Sequence, residues 1–362
     1  MSPFGPAPTV AEALARPHNG FSLLRLLLAL AVVVSHAFSV TTGRPGDEPL
    51  IAATGFSLGE HAVNGFFAIS GFLVTMSFCK RGWRDYAISR ALRIVPGLVV
   101  SALVVSLLLG AALTTLPLGA YLTDPGLWRY ITGLLTTFKT NAALPGVFPD
   151  NPFRYPMGTV WTLKYEVLCY AGVFAAGLAG LLGRRAPALV LTAGLFVALL
   201  ALDLIWPDAG KGKETALRLP FLFAAGGALY LWRDAVRLSA WPLVGLAAGA
   251  WLAHGTFGFK ALLFAAEAYG TLWLALSPVL ARPALDLTQD LSYGTYLYGW
   301  PVQQALVQIY PAGSIGVLLA ASLDLTLLVA AASWLGVEKP ALALKARTLG
   351  RRTIRTIEPA AP

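Results

Sequence analysis

Phe21-Ser-Leu-Leu-Arg25-Leu-Leu-Leu-Ala-Leu-Ala-Val-Val-Val-Ser35-His36-Ala-Phe-Ser-Val40 decides how the chain is read. A helix needs about twenty predominantly apolar residues to cross the ~30 Å hydrocarbon core of a bilayer, and this stretch supplies them. It is too long for the apolar region of a signal peptide, carries Arg25 and leads into no convincing small-residue cleavage pattern, so it reads as a permanent span. Eleven steps of about 100° bring His36 back to the face of Arg25, and eleven rises of about 1.5 Å set the two roughly 16 Å apart. One helix face therefore presents a guanidinium and an imidazole at opposite depths.

The rest of the chain has the same character. Of its 362 residues 57% are hydrophobic and 12% charged, against roughly 45–50% and about 25% in globular chains. That leaves too little polar surface for a water-soluble particle, too much apolar area for disorder, and, with only Cys79 and Cys169, no disulfide scaffold. The expected fold class is all-α: a polytopic integral membrane protein of about ten transmembrane helices, near 21–40, 62–78, 94–113, 160–182, 186–206, 217–231, 240–252, 261–280, 291–309 and 314–335. The domain reading is a cytoplasmic segment at 1–20, one transmembrane domain at 21–340 and a basic cytoplasmic tail at 341–362. Basic residues accumulate on the cytoplasmic side of membrane proteins. With both termini inside, the inner segments hold seventeen Lys and Arg and the outer ones seven. The same asymmetry accounts for the net charge of +9, dispersed over short loops, and no nucleic-acid partner is expected. Two longer outer connections, 41–61 and 114–158, the second with a short helix expected near 126–138, are placed to grip a ligand on that face.

Ionisable groups inside a membrane are costly enough to mark function. In the second span, Gly65, Ser70 and Gly71 allow close approach of another helix or a ligand. Arg90 and Arg93, three apart at a helix start, can converge on a phosphate, for which the planar guanidinium fork is suited. The fourth span begins with Trp161, Lys164, Tyr165 and Glu166. Glu166 there is expected at the depth of His36, where a carboxylate would fix the tautomer of the imidazole and raise its basicity. Four scattered histidines without ligand spacing predict no metal. In the ninth span Pro301 predicts a break and kink near Tyr298 and Gln304, which are available to a substrate. Glu338-Lys339-Pro340 reads as a helix stop with a charge pair, while Arg218 and Glu267 are intramembrane charges without a motif.

Arg25-x10-His36, Phe66-Phe-x-x-Ser-Gly-Phe-Leu73, Arg90-x-x-Arg93-x-x-Pro96, Trp161-x-Leu-x-x-Glu166, Ser292-Tyr-Gly-Thr-Tyr-Leu-Tyr298 with Trp300-Pro301, and Glu338-Lys-Pro340, in that order, resemble acyltransferase family 3 over residues 21–340. These are polytopic membrane enzymes that acylate sugars of envelope polysaccharides, lipopolysaccharides, peptidoglycan, nodulation factors and some antibiotics. The resemblance implies O-acyl transfer, most often of acetyl, from cytoplasmic acyl-CoA to a hydroxyl of a glycan or glycolipid acceptor at the outer face of a bacterial inner (cytoplasmic) membrane. Arg25, Arg90 and Arg93 would then hold CoA phosphates and His36 would act as general base, oriented by Glu166. Ser70 or Tyr165 would steady the oxyanion, with Trp161, Tyr298 and Gln304 about the cavity. Direct attack and a covalent acyl-enzyme are both open. Many relatives carry His near Gly299, so no role is transferred there. No appended extracytoplasmic hydrolase-like domain is expected from this sequence, and the chain would then complete the transfer itself or pass the acyl group to a separate partner. The competing class is a proton-coupled transporter or flippase of a glycan or lipid intermediate, which commonly shows inverted repeats with paired broken helices; the sequence shows none.

Overall fold

A computed structural model describes residues 7–206 and 209–348, the side chains of 346–348 excepted. Among these the secondary structure is helical, with a single antiparallel bridge between Thr9 and Arg237. Five helical runs are long and apolar enough to cross a membrane: Phe21–Thr42, Leu58–Leu113, Arg185–Ile205, Phe259–Leu276 and Ile315–Lys345. The remaining expected spans form helices that are shorter or more polar, at Leu163–Leu178, Lys211–Leu231, Trp241–Leu252 and Ser292–Ile309. Large apolar side chains lie exposed along Arg185–Ile205, including Val190, Val197 and Leu204. A contiguous uncovered apolar surface of that kind suits hydrocarbon, and the chain is an integral membrane protein.

Three expectations change. The second and third spans are not separated by a loop. Leu58–Leu103 is helical throughout except at Gly82, whose φ of 78° and ψ of 174° break the helix at one residue. Glycine alone reaches that conformation cheaply, and the residues after it resume the helix at once, so Arg90 and Arg93 sit inside a helix. Glu338-Lys339-Pro340 does not stop the last span. A π-helical turn at Trp334–Glu338 passes into a further helix, Lys339–Thr348. Pro340 lies inside the continuous run Ile315–Lys345, directly after the π-turn, so its missing N–H falls where the regular ladder of backbone hydrogen bonds is already interrupted. Glu338 is buried and accepts from Ser333 Oγ at 2.9 Å rather than pairing with Lys339. The ninth element, Ser292–Ile309, is assigned as one helix through Pro301. Most of the basic tail, including Arg351, Arg352 and Arg355, lies outside the described residues. The connection at 114–158 holds the short helix expected in it, at Pro125–Thr137, with the Asp124 carboxylate accepting from Gly126 N at 2.6 Å as its N-cap.

Leu58–Leu103 is the hub, packed by Phe21–Thr42, Leu163–Leu178, Lys211–Leu231 and Phe259–Leu276. Its small residues set the closest approach. A methyl group on Gly71 would overlap the Phe223 carbonyl, and one on Gly226 would overlap that of Ala68. The obstacles are backbone and cannot swing away, so Gly71→Val is expected to abolish accumulation of folded protein. Size-exclusion chromatography of the detergent-extracted variant checks this; a monodisperse peak at normal yield would contradict it.

The intramembrane charges without a motif find partners here. Arg218 is 1% exposed, lies between the rings of Phe56 and Phe264, and has Glu60 and Glu214 each at 3.8 Å. The Glu267 carboxylate pairs with the His61 ring and accepts from Asn64 Nδ2 at 2.6 Å. Both clusters join helices distant in sequence.

Candidate active site

A cavity of 400 Å³ lies among Phe21–Thr42, Leu58–Leu103, Leu163–Leu178 and Ser292–Ile309. Along the hub helix it is lined by Val63, Phe66, Phe67, Ser70, Leu73 and Val74. That is one face at helical spacing, and it spans about 16 Å from Val63 to Val74 at about 1.5 Å per residue. The cavity is therefore elongated. One half is ionic: Arg25, Arg81, Arg90, Arg93 and Lys345 line it with Glu166 and Asp290, five cations against two carboxylates. The other half is made of Val63, Phe66, Thr162, Leu163 and Tyr296.

The ionic half is organised by Asp290, in the turn before Ser292–Ile309, a residue that the sequence reading missed. Its Oδ2 accepts from Arg25 at 2.7 Å and forms an ion pair with Arg93 at 2.8 Å, and its Oδ1 accepts from Ser292 Oγ at 2.5 Å and Ser292 N at 3.3 Å. Burial alone would raise its pKa. The two guanidiniums and the Ser292 donors outweigh burial and hold the carboxyl below its ordinary range. Arg93 also lies over the Tyr293 ring and Arg90 over that of Tyr170, each at 5.6 Å. Arg90 Nε has no hydrogen-bond partner among the described residues.

Glu166 belongs to this half as well. Tyr170 Oη donates to its Oε1, and Ser70 Oγ approaches the same oxygen at 3.4 Å. The expected pairing of Glu166 with His36 is not formed, and helix registration explains why. Phe21–Thr42 packs beside the hub with Leu28 against Gly65 and Ser35 against Gly59, so the two run antiparallel and His36 stands level with residues near 59. Ser70, beside Glu166, is eleven residues from Gly59, roughly 16 Å along the axis. The same register puts His36 about one turn beyond Val63, just past the less polar end of the cavity. Its ring meets Trp300 edge-on at 5.0 Å, and Trp300 stacks on Tyr155 of the 114–158 connection at 5.2 Å.

Arg25, Ser70, Glu166, Arg90 and Arg93 are thus gathered at one cavity, while Trp161, Tyr165, Tyr298 and Gln304 do not line it. Thr162, Glu166 and Tyr170 share a stripe at four-residue spacing; Trp161 and Tyr165 occupy the neighbouring stripe and pack edge-on on each other at 6.1 Å. Tyr298 lies two positions, about 200°, from Tyr296 and so faces away. Tyr296 takes the place at the cavity, with its hydroxyl 2.5 Å from Thr162 Oγ1 and donating to Thr159 O at 2.7 Å. Helical spacing from Tyr293 was the signal that could have selected it. Fully buried Gln304 anchors the 114–158 connection: its amide donates to Phe153 O at 2.6 Å and Tyr155 O at 3.1 Å, and its Oε1 accepts from Asn151 at 2.9 Å.

Membrane-length apolar helices around an elongated, polar-ended cavity define a polytopic membrane protein whose site is built between its helices. The chain belongs to acyltransferase family 3: the family's acyltransferase domain matches residues 18–337. Among its relatives, Nodulation protein 10 of Rhizobium leguminosarum bv. viciae is 30% identical, over 92% of this chain and 96% of that protein. An O-acetyl transferase of Shigella phage Sf6 is 26% identical, over 89% of this chain and 95% of the relative. No solved structure gives a significant match. The chain is an enzyme, an O-acyltransferase, and the transporter alternative is set aside.

Proposed function

We propose that the protein transfers an acyl group, most readily acetyl, from acyl-CoA entering from the cytoplasm to a hydroxyl of a cell-envelope glycan or glycolipid at the outer face of a bacterial inner membrane. The observation that carries this reading is the shape and polarity of the cavity: a cationic half, a narrow run of about 16 Å along the hub helix, and an end lined by Tyr296 and Thr162 about one turn short of His36. An extended pantetheine arm is of comparable length. With the nucleotide phosphates at Arg90 and Arg93, the thioester reaches the Tyr296 end.

In the reading adopted here His36 is the general base. The acceptor hydroxyl gives its proton to the imidazole as its oxygen attacks the thioester carbonyl. A carbon–oxygen bond forms, the carbon–sulfur bond breaks, and CoA leaves as the thiolate, taking up a proton. The developing oxyanion needs a donor at the same place, and Tyr296 and Thr162 are the hydroxyls at that end. Glu166 takes a different part from the one its sequence position suggested: bonded to Tyr170 and Ser70 among the arginines, it orders the donor half.

Thermal unfolding of the purified, detergent-solubilised protein tests the donor, because a ligand of the native state stabilises it by mass action. Acetyl-CoA is expected to raise Tm, with succinyl-CoA and free CoA defining acyl preference. In Arg90→Ala, loss of a charge-assisted contact is expected to raise the concentration required by roughly tenfold. No shift with any CoA compound would overturn the donor assignment.

A further inference from the structure

Lys345 stands beyond the family match, which ends at residue 337, and in a segment that reads from sequence as a detached basic tail. In the structure it is part of the cavity. The helix Lys339–Thr348 packs on the hub helix, and Leu342 and Lys345 contribute to the cavity wall. Lys345 Nζ lies 2.8 Å from Asp85 Oδ1, with Arg81 3.9 Å from the same oxygen. The Lys345 side chain is only 20% exposed, little for a lysine in the last turns of a helix.

The charges of the cavity divide into two groups. Arg25 and Arg93 converge on Asp290, two guanidiniums sharing one carboxylate. Arg81 and Lys345 share Asp85, whereas Arg90 forms no ion pair with an acidic side chain and its Nε is unpartnered among the described residues. The uncompensated positive charge of the cavity therefore gathers where Lys339–Thr348 crosses the hub helix. In a CoA thioester the charges are likewise concentrated at the end remote from the acyl group, and the 3′-phosphomonoester is a dianion.

We propose that Lys339–Thr348 is part of the donor site and that Lys345, exchanging Asp85 for a ligand oxygen, binds the 3′-phosphate of the CoA nucleotide. The proposal rests on the acyl-CoA reading above and makes the C-terminal helix a determinant of donor specificity. A lysine is suited to this as a point charge on a flexible stem that can leave one carboxylate for a phosphate.

Binding of CoA and of 3′-dephospho-CoA to the full-length detergent-solubilised protein, measured by isothermal titration calorimetry, is the test. The unaltered protein is expected to prefer CoA. Lys345→Ala is expected to weaken CoA binding roughly tenfold while leaving dephospho-CoA unchanged, the loss of one charge-assisted contact. Lys345→Arg keeps the preference, and Lys339→Ala, at an exposed position on the same helix, alters neither affinity. If CoA binds equally well to Lys345→Ala, or if both ligands weaken together, the assignment of Lys345 is overturned while the donor reading stands. If the unaltered protein binds neither ligand, the donor reading falls and the assignment with it.

Discussion

His36→Ala is expected to reduce acyl transfer by about 10² to 10⁴-fold, the usual contribution of a positioned general base, while acyl-CoA still raises Tm as it does in the unaltered protein. The separation follows from geometry. His36 lies past the less polar end of the cavity and contributes no atom to its wall, whereas the ionic half, which holds the donor's charged end in the proposed reading, lies about 16 Å away along the helix axis. The measurement pairs transfer of radiolabelled acetyl from acetyl-CoA to membrane acceptor with thermal unfolding of the same preparation. The imidazole packs edge-on against Trp300 in a region braced by Gln304 and Asn151, so its truncation is expected to leave the fold intact. Full transfer by a folded His36→Ala protein would remove the imidazole from the mechanism. Loss of acyl-CoA binding together with activity would place His36 in the donor site instead.

Asp290→Ala is expected to be the most destabilising change in the ionic half of the cavity. It leaves Arg25 and Arg93 close together in a partly buried space without their shared counter-charge, and it removes the acceptor of the Ser292 N–H and hydroxyl. Breaking a buried ion pair by removing one partner costs about 3–5 kcal/mol; with Arg25 23% and Asp290 20% exposed, the lower end, about 3 kcal/mol, is expected. Thermal unfolding in detergent should show a Tm lower by several degrees. The pH dependence has a definite sign. The folded carboxyl titrates below its ordinary value of 3.8, so its contribution is complete above that value and declines as pH falls below it. The Tm difference between the unaltered protein and Asp290→Ala should therefore be constant from pH 6 to 8 and narrow under acid. An undiminished Tm in Asp290→Ala at neutral pH would show that the ion pair does not hold this part of the fold.

Much of this protein was legible in its order of residues. Apolar runs of membrane length, the scarcity of charge and the Arg25–His36 face specify an all-helical membrane chain, because a backbone in hydrocarbon must satisfy its own hydrogen bonds and does so locally in a helix. The motifs that resemble acyltransferase family 3 lie in that same local order, and Arg25, Ser70, Arg90, Arg93 and Glu166 do meet at one cavity. Pairings between helices were not legible. Glu166 was read at the depth of His36 because depth was counted from the start of its own span. The chain first makes a 3-10 turn at Val160–Thr162, where Thr162 meets Tyr296, and Glu166 reaches Ser70 rather than the outer end. Asp290 carries no motif of its own, and its importance arises only where two helices bring Arg25 and Arg93 to it. Lys345 lies in the wall of the cavity because a π-turn carries the last helix past Pro340, a continuation that the local Glu-Lys-Pro pattern argues against. Sequence determines the helices and the chemistry each one carries, since both depend on neighbours along the chain. The register in which the helices pack, fixed by glycine contacts such as Gly59 with Ser35 and Gly71 with Phe223, decides which of those groups can act together.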